Sequence, residues 1–264
     1  MKNGCIAVRD TGMYYVSFGK GKKSLIVLPG LSDGLATVKG KAFLLAFPYR
    51  KFFKDYTVYI FSRKNKMPEG YTIREMANDQ AEAMKALGIA KASVLGVSQG
   101  GMVSQYLAID HPEMVERLVL AVTAPYANDV IKNAVGSWFE MAKKNDHKSL
   151  MVDTAEKMYS KSYLKKNGKL FPLIAKFTKP ESYERFFRNA NAILGFDARY
   201  ELDKIICPTY IIAGDDDNTV GNEAAHELNE RIPNSKVFIY EGLGHGAFEE
   251  AGDFYGKVYD FCKT

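Results

Sequence analysis

The chain predicts an α/β fold, a mainly parallel central sheet with helices on both faces. Three observations carry this. Short continuous apolar runs rich in β-branched residues recur along the sequence, as strands buried on both faces require. Helical apolar stripes alternate with them, most clearly Ile73, Met76, Ala77, Ala81, Met84 and Leu87. Several of the runs stop at glycine-bearing loops, where open α/β sheets place their sites.

In chain order, residues 6–8 and 13–18 are apolar-aromatic pieces split by Asp10-Thr11-Gly12, the pattern of a hairpin at one sheet edge. Residues 24–28 form a continuous apolar strand ending at Pro29-Gly30-Leu31-Ser32-Asp33-Gly34. Residues 41–53 read as a helix that Pro48 must interrupt or end. A strand at 56–61 and a polar loop at 62–70 follow. Thr72 and Glu75 have the capping-box spacing and open a helix that runs to Gly88. A strand at 92–97, a helix reaching Ile109, a break at Pro112 and a strand at 117–122 complete three strand-helix alternations.

From residue 126 to 203 the pattern changes. No buried strand stands out, and helical stretches rich in Lys, Met and aromatics are broken at Gly168 and Pro172. The simplest account is a set of helices inserted between two sheet strands. Their 14 Lys and Arg against 10 Asp and Glu are those of a solvated outer face rather than of an anion-attracting rim. Strand character returns at 208–213, followed by a helix at 222–231, a last strand at 236–240 and a closing helix at 248–262.

A chain of 264 residues is long enough for one large domain carrying such an insertion. Hydrophobic content of 47% and charged content of 25% are ordinary for a globular protein, and a net charge of +5 spread along the chain does not argue for nucleic acid. Cys5, Cys207 and Cys262 have no metal-ligand spacing and read as buried thiols of a reducing compartment. The first twenty residues lack the continuous apolar core of a secretion signal, and no apolar run is long enough to span a membrane. The expectation is a cytoplasmic protein with no membrane, nucleic-acid, metal or cofactor partner and an open oligomeric state.

The chemistry concentrates in Gly96-Val97-Ser98-Gln99-Gly100, where an apolar run meets a helix-compatible segment. A serine at the tip of a sharp strand-to-helix turn is strained, so the residues two before and two after must be nearly free of side chain. The turn pushes Ser98 outwards and aims the Gln99 N–H, at the helix start, to where an oxyanion would form. Two later strand-end loops add acids, Asp215-Asp216-Asp217, and a histidine, His245. An imidazole can take the proton of a serine that is a poor nucleophile alone, and a carboxylate can hold the imidazolium that results. Of the other histidines, His111 sits in a helix-ending turn, and His147 and His226 read as solvated. Three adjacent aspartates would also suit turn and capping roles, and Asp129 is a further acid near a strand end.

In this order of serine, acid and histidine the chain resembles a capped α/β hydrolase of the esterase, lactonase and C–C hydrolase group. The matching pieces are Leu28-Pro29-Gly30-Leu31, Ala86-Leu87-Gly88-Ile89, Gly96 to Gly101, His111 to Leu120, Gly214-x-x-Asp217 and Gly244-His245. The resemblance implies an α/β-hydrolase core of residues 1–125 and 204–264, with a helical cap of residues 126–203 inserted after the sixth core strand. It implies a triad of Ser98, Asp217 and His245, and an oxyanion hole from the Leu31 and Gln99 backbone N–H groups. Trp138, Met141, Phe186 and Phe187 are candidates to line the pocket. Two departures stand out: Pro29-Gly30 replaces a common His-Gly, and Phe61-Ser62-Arg63-Lys64-Asn65 replaces a common Asp-x-Arg-Gly. The implied reaction is hydrolysis of a small or medium carboxylic ester through an acyl-serine. Lactone, thioester and C–C hydrolysis or acyl transfer could use the same residues, and a ligand-binding receptor of the same fold is the alternative outside catalysis.

Overall fold

A computed structural model describes residues 1–264. Eight strands form one sheet: β1 (Lys2–Val8), β2 (Thr11–Gly19), β3 (Lys23–Leu28), β4 (Tyr56–Lys64), β5 (Ala92–Val97), β6 (Val115–Ala121), β7 (Thr209–Gly214) and β8 (Ser235–Tyr240). Their order is β1-β2-β4-β3-β5-β6-β7-β8. The β1–β2 hairpin pairs antiparallel with β4, and every later pairing is parallel. From β3 the chain winds one way to β4 and then the other way to β5, so the loops after β3 and β5 lie side by side where the order reverses. Crevices of this kind are where open α/β sheets bind ligands.

The continuous apolar strands still alternate. Ile26, Leu28, Val94, Leu118, Leu120 and Ile211 enter one apolar layer, with α2 (Ile73–Ala86), α3 (Gln99–Asp110) and α9 (Ala224–Arg231). Leu25, Val27, Leu95, Val97, Val119 and Ile212 enter the other, with the 3₁₀ turn Phe47–Phe52 and α11 (Phe254–Lys263). Thr72 caps α2 as its spacing predicts: its side chain accepts from the Glu75 N–H at 3.2 Å, and Glu75 accepts from the Thr72 N–H at 2.8 Å. Such a cap contributes about 1 kcal/mol. Five helices stand between β6 and β7: α4 (Asp129–Lys143), α5 (His147–Met158), α6 (Lys161–Asn167), α7 (Phe171–Thr178) and α8 (Glu184–Leu194). No helix is long and apolar enough to cross a membrane.

The structure corrects the sequence reading in several places. The helix expected over 41–53 is only α1 (Ala42–Ala46), because Pro48 turns the remainder into the 3₁₀ segment. The closing helix is split into α10 (Ala247–Glu250) and α11 by extended backbone at Ala251. The expected polar loop at 62–70 starts later, since Ser62, Arg63 and Lys64 are buried in β4. Lys64 meets Asp79 of α2 at 3.1 Å, which is how a charged strand end enters the interior. His147 is buried, not solvated, and bonds Thr178 at 3.1 Å, tying the start of α5 to the end of α7; burial lowers its pKa.

Two of the three thiols are buried, but Cys5 is exposed on the edge hairpin. Burial raises the Cys207 pKa and pushes that of Cys262 up to about 12. A thiol reagent at neutral pH should therefore titrate one cysteine quickly in the native protein and all three in denaturant. Rapid native reaction at three sites would contradict this packing.

Candidate active site

The turn between β5 and α3 holds Ser98 at φ 54° and ψ −120°, a strained conformation for a residue with a side chain. Space explains its flanking glycines. A Cβ on Gly96 would fall 2.3 Å from the Ser104 hydroxyl and 2.5 Å from the Gly100 carbonyl, and one on Gly100 would fall 1.9 Å from the Leu28 carbonyl. The Ser98 N–H donates to the Ala121 carbonyl at 2.9 Å. Its own carbonyl accepts from the Gly101 N–H and from the Thr123 hydroxyl, each at 2.8 Å.

The loops after β7 and β8 bring the other two residues to it. His245 lies with one ring nitrogen, Nε2, 2.9 Å from the Ser98 hydroxyl and the other, Nδ1, 2.8 Å from Asp217 Oδ2. Asp217 and His245 are both buried, each 3% exposed. The remaining oxygen of Asp217 accepts the Thr219 and Val220 N–H groups at 2.8 and 2.9 Å, so the carboxylate is held at both oxygens. The neighbouring acids diverge. Asp215 accepts from the Gly242 N–H, Asp216 from Asn218, and Asp129 is exposed at the start of α4. Three consecutive carboxylates with three separate partners do not form a metal cage, and no other His, Cys, Asp and Glu cluster is placed to hold one.

Leu31 opens a 3₁₀ turn (Leu31–Gly34) after β3, and Gln99 opens α3. As first residues of their helices, both have N–H groups without an intrahelical acceptor. A Cβ on Gly30 would fall 3.2 Å from the Ser98 Cβ, so the Leu31 turn runs directly beside the serine. The braces behind it were not visible in the sequence. Arg63, fully buried, donates to the Pro29 carbonyl at 2.7 Å, and its backbone N–H donates to Asp33 at 3.0 Å. Burial lowers the Arg63 pKa, against the pull of Asp33. Arg185 of α8 donates to the Asp33 carboxylate and, at 2.8–2.9 Å, to the carbonyls of Asp33, Arg63 and Lys64. Asn189, one turn further along α8, offers its carbonyl to the Gln99 side chain at 3.1 Å. One helix of the insertion thus braces both turns. The only sequence signal for this was the unusual Ser62-Arg63-Lys64 after a strand.

Ser98 and His245 open onto a largely apolar cavity of about 540 Å³, within the range of small-molecule sites. Trp138 and Phe186 border it, the indole fixed by a 2.8 Å bond to Asp153. Met141 and Phe187 do not. Each lies a partial helical turn from a lining residue and packs on the apolar layer instead. The lining also includes Leu31, Leu44, Met158 and Glu249. Glu249 accepts a hydrogen bond from the Tyr159 hydroxyl, and the surrounding protein raises its pKa.

Comparison with known proteins agrees with this architecture. A protein called "Putative carbamate hydrolase RutD" from Caulobacter vibrioides (strain NA1000 / CB15N) is 26% identical over 69% of this chain and 68% of its own length. The crystal structure of MGS-M2, an alpha/beta hydrolase from a Medee basin deep-sea metagenome library, superposes with a TM-score of 0.86 at 20% identity, covering 99% of this chain and 98% of that one. The enol-lactonase of Burkholderia xenovorans LB400 gives 0.83 at 22% identity over 99% and 100%. The family model described as the alpha/beta hydrolase fold matches residues 59–252, and the chain belongs to that family.

Proposed function

We propose that the protein is a serine hydrolase that cleaves a small or medium carboxylic ester through an acyl-serine intermediate. The observation that carries this reading is the unbroken hydrogen-bonded line from Ser98 through His245 to Asp217 at the mouth of an apolar cavity. His245 Nε2 takes the hydroxyl proton as Ser98 Oγ attacks the acyl carbon. Asp217 holds the Nδ1–H and stabilises the imidazolium without being protonated itself. The Leu31 and Gln99 N–H groups receive the oxyanion, and removing one such donor typically costs about 10²–10³ in rate. Collapse of the tetrahedral species breaks the bond to the leaving alcohol, which takes the proton back from His245. Water then repeats the sequence on the acyl-serine. The helices over the cavity act as a cap, with Trp138 and Phe186 in contact with substrate.

The alpha/beta hydrolase relatives include proteins named as carbamate hydrolases, an enol-lactonase and an esterase. The same attack would serve each acyl group, so a panel of esters, lactones, thioesters and carbamates compared by kcat/KM assigns the substrate class. A receptor that keeps this fold would need no hydroxyl-imidazole-carboxylate line.

Ser98→Ala should lower kcat on p-nitrophenyl acetate by about 10⁴-fold or more and abolish labelling by a fluorophosphonate. Full activity in that variant would place the chemistry elsewhere. His245→Ala should lower kcat on the same ester by a comparable factor, since Ser98 then lacks the imidazole that takes its proton. Full activity in a folded His245→Ala protein would assign His245 another role. Arg185→Met should reduce kcat roughly tenfold or more, since it loosens the turn that carries the Leu31 N–H. It should also destabilise the fold by about 3 kcal/mol by unpairing buried Asp33. Unchanged kcat in a folded Arg185→Met protein would remove the brace from the mechanism.

A further inference from the structure

Most of the exposed large apolar side chains fall on two segments that border the cavity. Phe43, Leu44 and Phe47, on α1 and the turn after it, are 85%, 72% and 66% exposed, and Phe177 of α7 is 83% exposed beside Leu173 and Ile174. Leu44 lines the cavity while remaining open to solvent, and Phe171 of α7 lines it too, so the two helices flank one opening. Both segments are also purely cationic. Residues 34–54 contain five Lys and Arg and residues 158–180 contain six Lys, with no Asp or Glu in either stretch. Few of these charges are neutralised nearby; Lys51 pairs with Asp260.

From this coincidence we infer that the cavity mouth docks on an anionic lipid bilayer, lying on its surface. The apolar side chains enter the headgroup–acyl boundary and the lysines meet the lipid charge, as for interfacial helices. A second copy of the chain fits poorly, because a two-fold contact through this face would set its cations against themselves. The near-balanced charge of residues 126–203 hides this surface, because the acids of the insertion all lie outside residues 158–180. Surface docking would let an apolar molecule pass from the bilayer into the cavity without crossing water, and it does not depend on the reaction performed there.

The test is flotation of the full chain with vesicles of phosphatidylcholine alone and of phosphatidylcholine mixed with phosphatidylglycerol. Binding to the mixed vesicles should be about tenfold or more tighter and should weaken as salt rises. Phe177→Asp, and separately the pair Lys165→Glu and Lys166→Glu, should each weaken it about tenfold or more. Their thermal midpoints and turnover of a water-soluble ester should stay unchanged. Ser98→Ala should float like the parent protein, which separates this surface from the chemistry. Absence of binding to the anionic vesicles at low salt, or equal binding by the variants, overturns the proposal. So does self-association that the same substitutions abolish in a chain that ignores vesicles.

Discussion

A serine with a left-handed backbone is a costly thing to hold, on the order of 1–3 kcal/mol, and much of the molecule is arranged to hold one. The turn at Ser98 closes only because backbone atoms of β3, β5 and α3 approach to distances at which no side chain fits. The next strand contributes a second strained position, Val122 at φ 45°, an outlier for a β-branched residue. Its neighbours on either side, Ala121 through its carbonyl and Thr123 through its hydroxyl, both bond Ser98. The two distorted turns therefore support each other, and the parallel pairing of β5 with β6 keeps them adjacent.

Around that turn the fold spends its buried charge on loops. Asp33, Arg63 and Arg185 meet behind the Leu31 turn, and removing one member of such a cluster strands the others in a poorly solvated place. The Arg63 guanidinium, reaching across from β4, bonds the carbonyl of Pro29. The loop is thus anchored through its backbone by a neighbouring strand. A related economy appears at the other end of the site, where the Met158 carbonyl at the end of α5 accepts the Gly246 N–H at 2.7 Å and fixes the loop that carries His245.

How much of this could be read in advance follows from what each residue needed to be recognised. The sheet was legible because buried strands need apolar runs, and the glycines flanking Ser98 were legible because their constraint is local and steric. Asp217 could be picked from three consecutive acids only by family spacing. In the structure the loop after β7 turns the Asp217 carboxylate inwards, towards His245, and leaves its neighbours exposed. Arg63 and Lys64 were read as loop because charge normally signals solvent. Their partners, Asp33, Asp79 and Arg185, are distant in sequence, and nothing local announces such a pairing. His147 was misread for the same reason. Met141 and Phe187 show the limit from the other side, since composition placed aromatic and thioether groups in the insertion but not the helical face each would occupy.

The position of α8 bears on how such a protein can change. Helices inserted between two strands look like an exchangeable attachment, free to drift or to be replaced while the machinery beneath stays constant. Here the attachment is not separable at its last member, because α8 holds both the Leu31 turn and the start of α3. Recombination that traded α6 and α7 could alter the chamber and leave the framework intact, whereas one that took α5 or α8 would carry part of the framework away. The natural seam of this molecule lies inside its insertion and not at the insertion's edge.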